Sequence, residues 1–210
     1  MVIERILLLG GGDGSVQAIG AMNNKQKCIG ILDDNRDMYG KTILGVKIVG
    51  VFDDIGDLKN KFDFIVISFS GDIKIRRDIF NKLKRDFEFT NIIGSNVIVG
   101  SEVDFGTGNL IVGYSRINSF TKVGDNNFLS SYVNIEHHNT LGSHCTFGPM
   151  VTTSGRVDIG DMVRFGTGIF IEPFLKIGDE SIISSGCTIT KNISNKSVVK
   201  RKIGYIIRDL

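Results

Sequence analysis

The chain has 210 residues, 41% of them hydrophobic, and a formal net charge of +2. That length is enough to bury real cores, and so nearly balanced a charge gives no case for a nucleic-acid or membrane-surface partner. Three widely spaced cysteines, Cys28, Cys145 and Cys187, form neither a zinc pattern nor a disulfide framework. They read as buried thiols.

The opening MVIERILLLGGGDG carries an early acidic residue and an apolar run too short for a signal peptide. With no stretch of transmembrane length, the expectation is a cytoplasmic protein. ILLLG (6–10) reads as a buried parallel strand ending in glycine. VQAIGAMNN (16–24) reads as a helix, CIGILDD (28–34) and FDFIVISF (62–69) as strands, and DIKIRRDIFNKLKRD (72–86) as a helix with Ile75, Ile79, Phe80 and Leu83 on one side. The alternation predicts a small parallel sheet over residues 1–88.

The turn GGGDG (10–14) lies between strand and helix, where backbone N–H groups can approach a phosphate. It falls short of a dinucleotide fingerprint, because Ser15 stands where the third glycine belongs. Asp33 and Asp34 follow about 20 residues on, at the end of the second strand, placed for a ribose or base.

From Ile93 the period becomes six. Every sixth residue to Ile189 is large and apolar except Thr153, and the phase never slips. Glycine follows many of these anchors, and the position two before an anchor is usually small or β-branched. A hexapeptide repeat of this kind predicts a parallel β-helix, in which three six-residue sides make one 18-residue coil and the anchors fill the axis. Cys145 and Cys187 fall on the small wall positions.

All three histidines lie in NIEHHNTLGSHC (134–145). Coil arithmetic stacks His137 between Ser119 and Gly155, His138 between Phe120 and Arg156, and His144 between Asn126 and Met162. All three side chains are expected to point away from the axis. Glycine at 155 leaves a groove beside His137, and an outward imidazole there suits general-base chemistry near neutral pH.

The pattern resembles the hexapeptide-repeat acyltransferases, whose prism is left-handed and whose members are typically trimers with acetyl-CoA between adjacent prisms. Residues 4 to 194 more closely resemble sugar acetyltransferases of the sialic acid O-acetyltransferase and UDP-4-amino-sugar N-acetyltransferase type (NeuD/PglD-like). The motifs are GGGDG (10–14), ILDD (31–34), FDFIVIS (62–68), VNIEHHNTLG (133–142), TSGRVDIG (153–160) and SGCTITKNI (185–193). The resemblance implies an α/β, Rossmann-like domain (1–88) followed by a left-handed β-helix (89–210), and a homotrimer that transfers acetyl from acetyl-CoA, without a metal, to a nucleotide sugar.

By the same resemblance His137 is the catalytic base. His138 stands where an acid often orients it, leaving Glu136 or a partner subunit to supply that acid. Acetyl-CoA contacts map to Thr146, Gly155, Thr167 and Ser185, with Thr146 a candidate oxyanion donor. Acceptor contacts map to Gly11, Gly12, Asp13, Asp33, Asp34 and Gly71. The tail VVKRKIGYIIRDL (198–210) departs from the family's ending.

Two other readings compete. A γ-type carbonic anhydrase shares the β-helix but needs three zinc-bound histidines that include an H-x4-H pair, whereas the spacings here are 1, 6 and 7. A non-catalytic scaffold or nucleotide-sugar sensor is the third.

Overall fold

A computed structural model describes residues 2–201; the end of the tail, 202–210, lies outside the described residues. Strand β1 (Glu4–Leu9) leads through α1 (Asp13–Ala21) to β2 (Gln26–Leu32). A short hairpin, β3 (Thr42–Ile43) and β4 (Val46–Gly50), precedes a helical turn over Phe52–Leu58, then β5 (Phe64–Ile67) and α2 (Ile73–Leu83). The sheet order is β3-β4-β2-β1-β5, parallel except for the hairpin.

Side-chain alternation in β1 divides this sheet into two cores. Ile6 and Leu8 pack with Ala18 and Ala21 of α1. Leu7 and Leu9 pack with Phe80 and Leu83 of α2. Helix α1 begins earlier than its apolar pattern predicts. Its first turn contains Gly14, where a Cβ would collide with the Ser68 carbonyl at the end of β5. Glycine therefore permits a close helix–sheet approach as well as a turn.

The six-residue period becomes a prism of two-residue strands in three parallel sheets. The register is 18 residues, as in Ile117↔Ile135 and Ile135↔Thr153, until the last rung, where Ile182 pairs with Val198 and the offset shortens to 16. We call the side carrying Asn134–Ile135 the first face, that carrying Thr140–Leu141 the second, and that carrying Thr146–Phe147 the third. The anchors and the small wall residues, Cys145 and Cys187 among them, form one continuous core. Glycine after an anchor has a steric cause: a Cβ on Gly142 would lie 2.6 Å from the Gly160 carbonyl group of the next coil.

Each corner turns through a left-handed residue three positions after the anchor. Phe120, Asn126, Tyr132, His138, His144, Met150 and Arg156 all have φ between 53° and 64°. The α/β part sits on the third face. Ile92, Leu110 and Phe128 of that face join the core made by Ile6, Leu8 and α1.

Candidate functional site

Several turns of the prism, in an unbroken series at the corner between the second and third faces, are tied to the neighbouring coil by a side chain two residues after the anchor. Asp161 Oδ1 accepts from Ser143 N at 2.6 Å, Ser143 Oγ from Asp125 N at 3.0 Å, and Ser185 Oγ from Thr167 N at 3.0 Å. His137 and Gly155 occupy two successive rungs of the corner between the first and second faces. There the cap is replaced by an imidazole above a glycine. A Cβ on Gly155 would lie 2.6 Å from His137 Cε1 and 2.9 Å from its Nε2. The expected groove beside the base is thus filled by the base itself, whose ring occupies the space a side chain at 155 would take.

The backbone under the two histidines is pinned from inside. Thr153, the single polar anchor, accepts from Glu136 N at 3.2 Å and from Asn139 Nδ2 at 2.8 Å. Asn139 Nδ2 also donates to the carbonyls of Glu136 and Ser154. The one break in the apolar series therefore lies in the coil that holds up His137 and His138. That break was visible in the sequence, and it was the signal that could have added Thr153 and Asn139 to the candidate residues.

His137 and His138 are both exposed, with Nδ1 atoms 3.1 Å apart and rings at 89°. His138 stacks on Phe120, centroids 4.9 Å apart. Partial desolvation of its ring, then the charges of Arg156 and His137, hold its pKa below the ordinary histidine value. The Glu136 carboxylate accepts from Asn118 at 2.8 Å and Asn134 at 3.3 Å, and among the described residues no hydrogen bond joins it to either imidazole.

His144 departs from expectation. It points away from the axis, but α2 covers it. Its Nδ1 lies 2.9 Å from Asn126 Nδ2, and Phe80 meets its ring edge-on at 5.4 Å. Burial, and next the Arg76 guanidinium, push its pKa down to about 4.

Thr146 departs too. It is buried on the third face, opposite the corner that carries His137, and its hydroxyl accepts from Arg76 Nη1 at 2.8 Å. Within this chain it is not beside His137 and is closed to a ligand. Thr167 and Ser185 are exposed on the corner between the third and first faces. The first face, with Thr152 and Phe170, separates them from Gly155.

In the α/β part the predicted residues do converge. Gly11, Gly12 and Asp13 follow β1, Asp33 and Asp34 follow β2, and Gly71 follows β5, all at the carboxyl ends of a sheet whose order reverses beside β1. Ligands of such sheets bind there. Asp33 is partly spent on structure: its carboxylate accepts from Gly11 N and, at 2.8 Å, from Asn35 N. Asp34 likewise accepts from Phe52 N at 2.9 Å.

Gly12 caps α1 without a side-chain hydrogen bond, and the space beside its Cα is open. A cleft of about 390 Å³ adds Arg36, Tyr39 and Asp54, which the sequence reading passed over. The charged run NRDMYGK after β2 was the available signal. Gly71 lines a second cleft, of about 530 Å³, between α2 and the third face, with Lys74, Arg164 and Lys196.

Burial raises the Cys28 thiol to about 11 and the Cys145 thiol to about 12, which makes both poor nucleophiles. Among the described residues, no three His, Cys, Asp or Glu side chains converge as a metal site, and no helix is long and apolar enough to cross a membrane.

No family model matches the chain. Over 113 residues, half its length, it is 32% identical to an acyl-[acyl-carrier-protein]–UDP-N-acetylglucosamine O-acyltransferase of Helicobacter pylori (strain Shi470). That stretch is 42% of the relative, so the chain spans less than half of its length.

Solved structures match along nearly the whole chain. PerB from Caulobacter crescentus, in complex with CoA and GDP-perosamine, superposes with a TM-score of 0.86 at 22% identity over 94% of both chains. The acetyltransferase domain of PglB from Neisseria gonorrhoeae FA1090, in complex with acetyl coenzyme A, gives 0.86 at 19% identity over 93% of this chain and 95% of that one. The chain has the fold of these acetyltransferases, an N-terminal α/β domain followed by a left-handed parallel β-helix.

Proposed function

We propose that the protein is an acetyl-CoA-dependent N-acetyltransferase acting on a nucleotide-linked amino sugar of the UDP-, dTDP- or GDP-4-amino-4,6-dideoxy type. The observation that carries this reading is His137 laid over Gly155 at the one corner where the turn-capping ladder gives way to an imidazole. Further support comes from neighbours of the same fold, solved with CoA and GDP-perosamine or with acetyl coenzyme A.

His137 takes a proton from the sugar amine as its nitrogen attacks the thioester carbon. The tetrahedral oxyanion then collapses, the carbon–sulfur bond breaks, and His137 passes the proton to the departing sulfur, so that CoA leaves as its thiol. Backbone N–H groups, rather than Thr146, stabilise the oxyanion, since Arg76 already holds that hydroxyl. No acyl-enzyme is formed. The nucleotide occupies the crevice at Gly11, Gly12, Asp13, Asp33 and Asp34. Acetyl-CoA runs along the first face past Gly155, Thr167 and Ser185. This face is completed by a second prism in a homotrimer.

The test begins with the donor. Acetyl-CoA at about 100 times its dissociation constant should add roughly 2.7 kcal/mol of stability. Gly155→Trp should abolish that shift. With the three nucleotide amino sugars as acceptors, His137→Ala should lower kcat by about 10²–10⁴. A sugar hydroxyl acceptor, as on sialic acid, uses the same base, and acetylation of that substrate alone would make the protein an O-acetyltransferase. Absence of any acetyl-CoA shift would leave a nucleotide-sugar-binding scaffold.

A further inference from the structure

The two adjacent imidazoles meet nitrogen to nitrogen, and this arrangement fixes where protons can be. At 3.1 Å, His137 Nδ1 and His138 Nδ1 share a hydrogen bond, so one carries a proton and the other offers a lone pair. Two lone pairs would repel, and two N–H groups would clash. If His138 donates, His137 is protonated on Nε2 and its only lone pair is already used. If His137 donates, its Nε2 lone pair is free, on the edge that lies 2.9 Å from the position of a Gly155 Cβ. Only the second arrangement leaves a base.

We infer that His138 is a positioning residue: a neutral imidazole whose Nδ1 accepts the His137 Nδ1–H and so holds the lone pair of His137 on Nε2. The inference rests on the acetyltransferase reading for its purpose, but its geometry stands alone. Three features hold His138 in that role. Its backbone is fixed in the left-handed corner conformation, φ 58°. Its ring stacks on Phe120. The charged groups facing it, Arg156 from the next coil and His137 from its own, both oppose a second positive charge, as does partial desolvation of the ring.

A carboxylate would stabilise the imidazolium formed during transfer; a neutral ring orients the base without adding that attraction. When His137 takes a proton from substrate, both of its nitrogens carry hydrogen and Nδ1–H still donates to His138. The pair therefore takes up one proton with its contact intact, and a second only by breaking it.

The test uses ¹⁵N-labelled full-length protein and the ring-nitrogen resonances above neutral pH. The chain has only three histidines, so single substitutions assign each ring. The expected result is Nδ1–H at His137 and Nε2–H at His138. In His138→Ala the His137 tautomer should change and kcat fall by about 10²-fold, with KM for acetyl-CoA held. His138→Asp should recover most of kcat and move the acid limb of kcat/KM up by about one pH unit, because an adjacent carboxylate raises the pKa of the base.

Nε2–H at His137 in the wild type, or unchanged kcat in His138→Ala, would overturn the inference. A protein with the expected tautomers that acetylates none of the three amino sugars supports the pair and sinks the N-acetyltransferase reading. An active protein with the opposite tautomer does the reverse.

Discussion

Seven residues separate His137 from His144, and the same repeat aims both away from the axis, yet they have opposite fates. His137 meets water and a glycine; His144 meets Phe80 and a buried guanidinium. The phase of the repeat set direction relative to the axis and therefore placed His137 over Gly155. It carried no information about which corner another domain would cover, so the burial of His144 and Thr146 was not legible. The charge near His144 has a thermodynamic consequence. Its folded pKa, about 4, lies below the usual 6.5, so the unfolded chain binds more protons between those values. Stability is fully present above pH 6.5 and is lost as pH falls towards 4, by about 3 kcal/mol in total from this group. Unfolding followed across that range should show the loss, and His144→Gln should flatten it. Gly155→Ala is the complementary change at His137. The added Cβ meets a ring that can swing into solvent, so the melting temperature should hold while kcat drops by at least the lower end of the general-base effect, about 10²-fold.

Arg76 ties helix α2 to the third face. This side chain is buried without a carboxylate. It donates to Thr146 Oγ1 and to the Asn126 carbonyl, and its Nε has no partner among the described residues. Burial lowers its pKa to about 10, so it remains charged at neutral pH. Desolvating that charge is costly, while its hydrogen bonds and packed stem are favourable. Arg76→Ala removes the favourable part and leaves a cavity, at roughly 2–4 kcal/mol. Arg76→Met keeps the stem and removes the charge, and should cost clearly less. Chemical denaturation of the pair measures the difference. The amphipathic pattern of α2 was readable because Phe80 and Leu83 recur at helical spacing. Strands β3 and β4 were not, because a two-residue strand and a five-residue one ending in glycine offer too little alternation to separate from loop.

At the scale of the molecule, the parallel β-helix was the most legible feature and its seam with the α/β part the least. A hexapeptide phase held from Ile93 to Ile189 admits one kind of architecture, and the observed 18-residue register follows from it. The seam rests on Ile92, Leu110 and Phe128, which sit one residue before anchors and resemble any outward position in the repeat. The seam also leaves the two ends of the prism unequal. The early coils are buttressed by the sheet and both helices, whereas among the described residues the last complete coils are followed by the short strand Val198–Val199 and a bridge at Ile193.

Each coil is bonded chiefly to the one before and the one after it. Such a stack behaves mechanically as a spool. A force applied at the C-terminal end meets one coil's ladder at a time, never the whole core in shear. Each 18-residue coil released pays out roughly 60 Å of extended chain. The buttressed coils beneath α2 are the last to come off the reel.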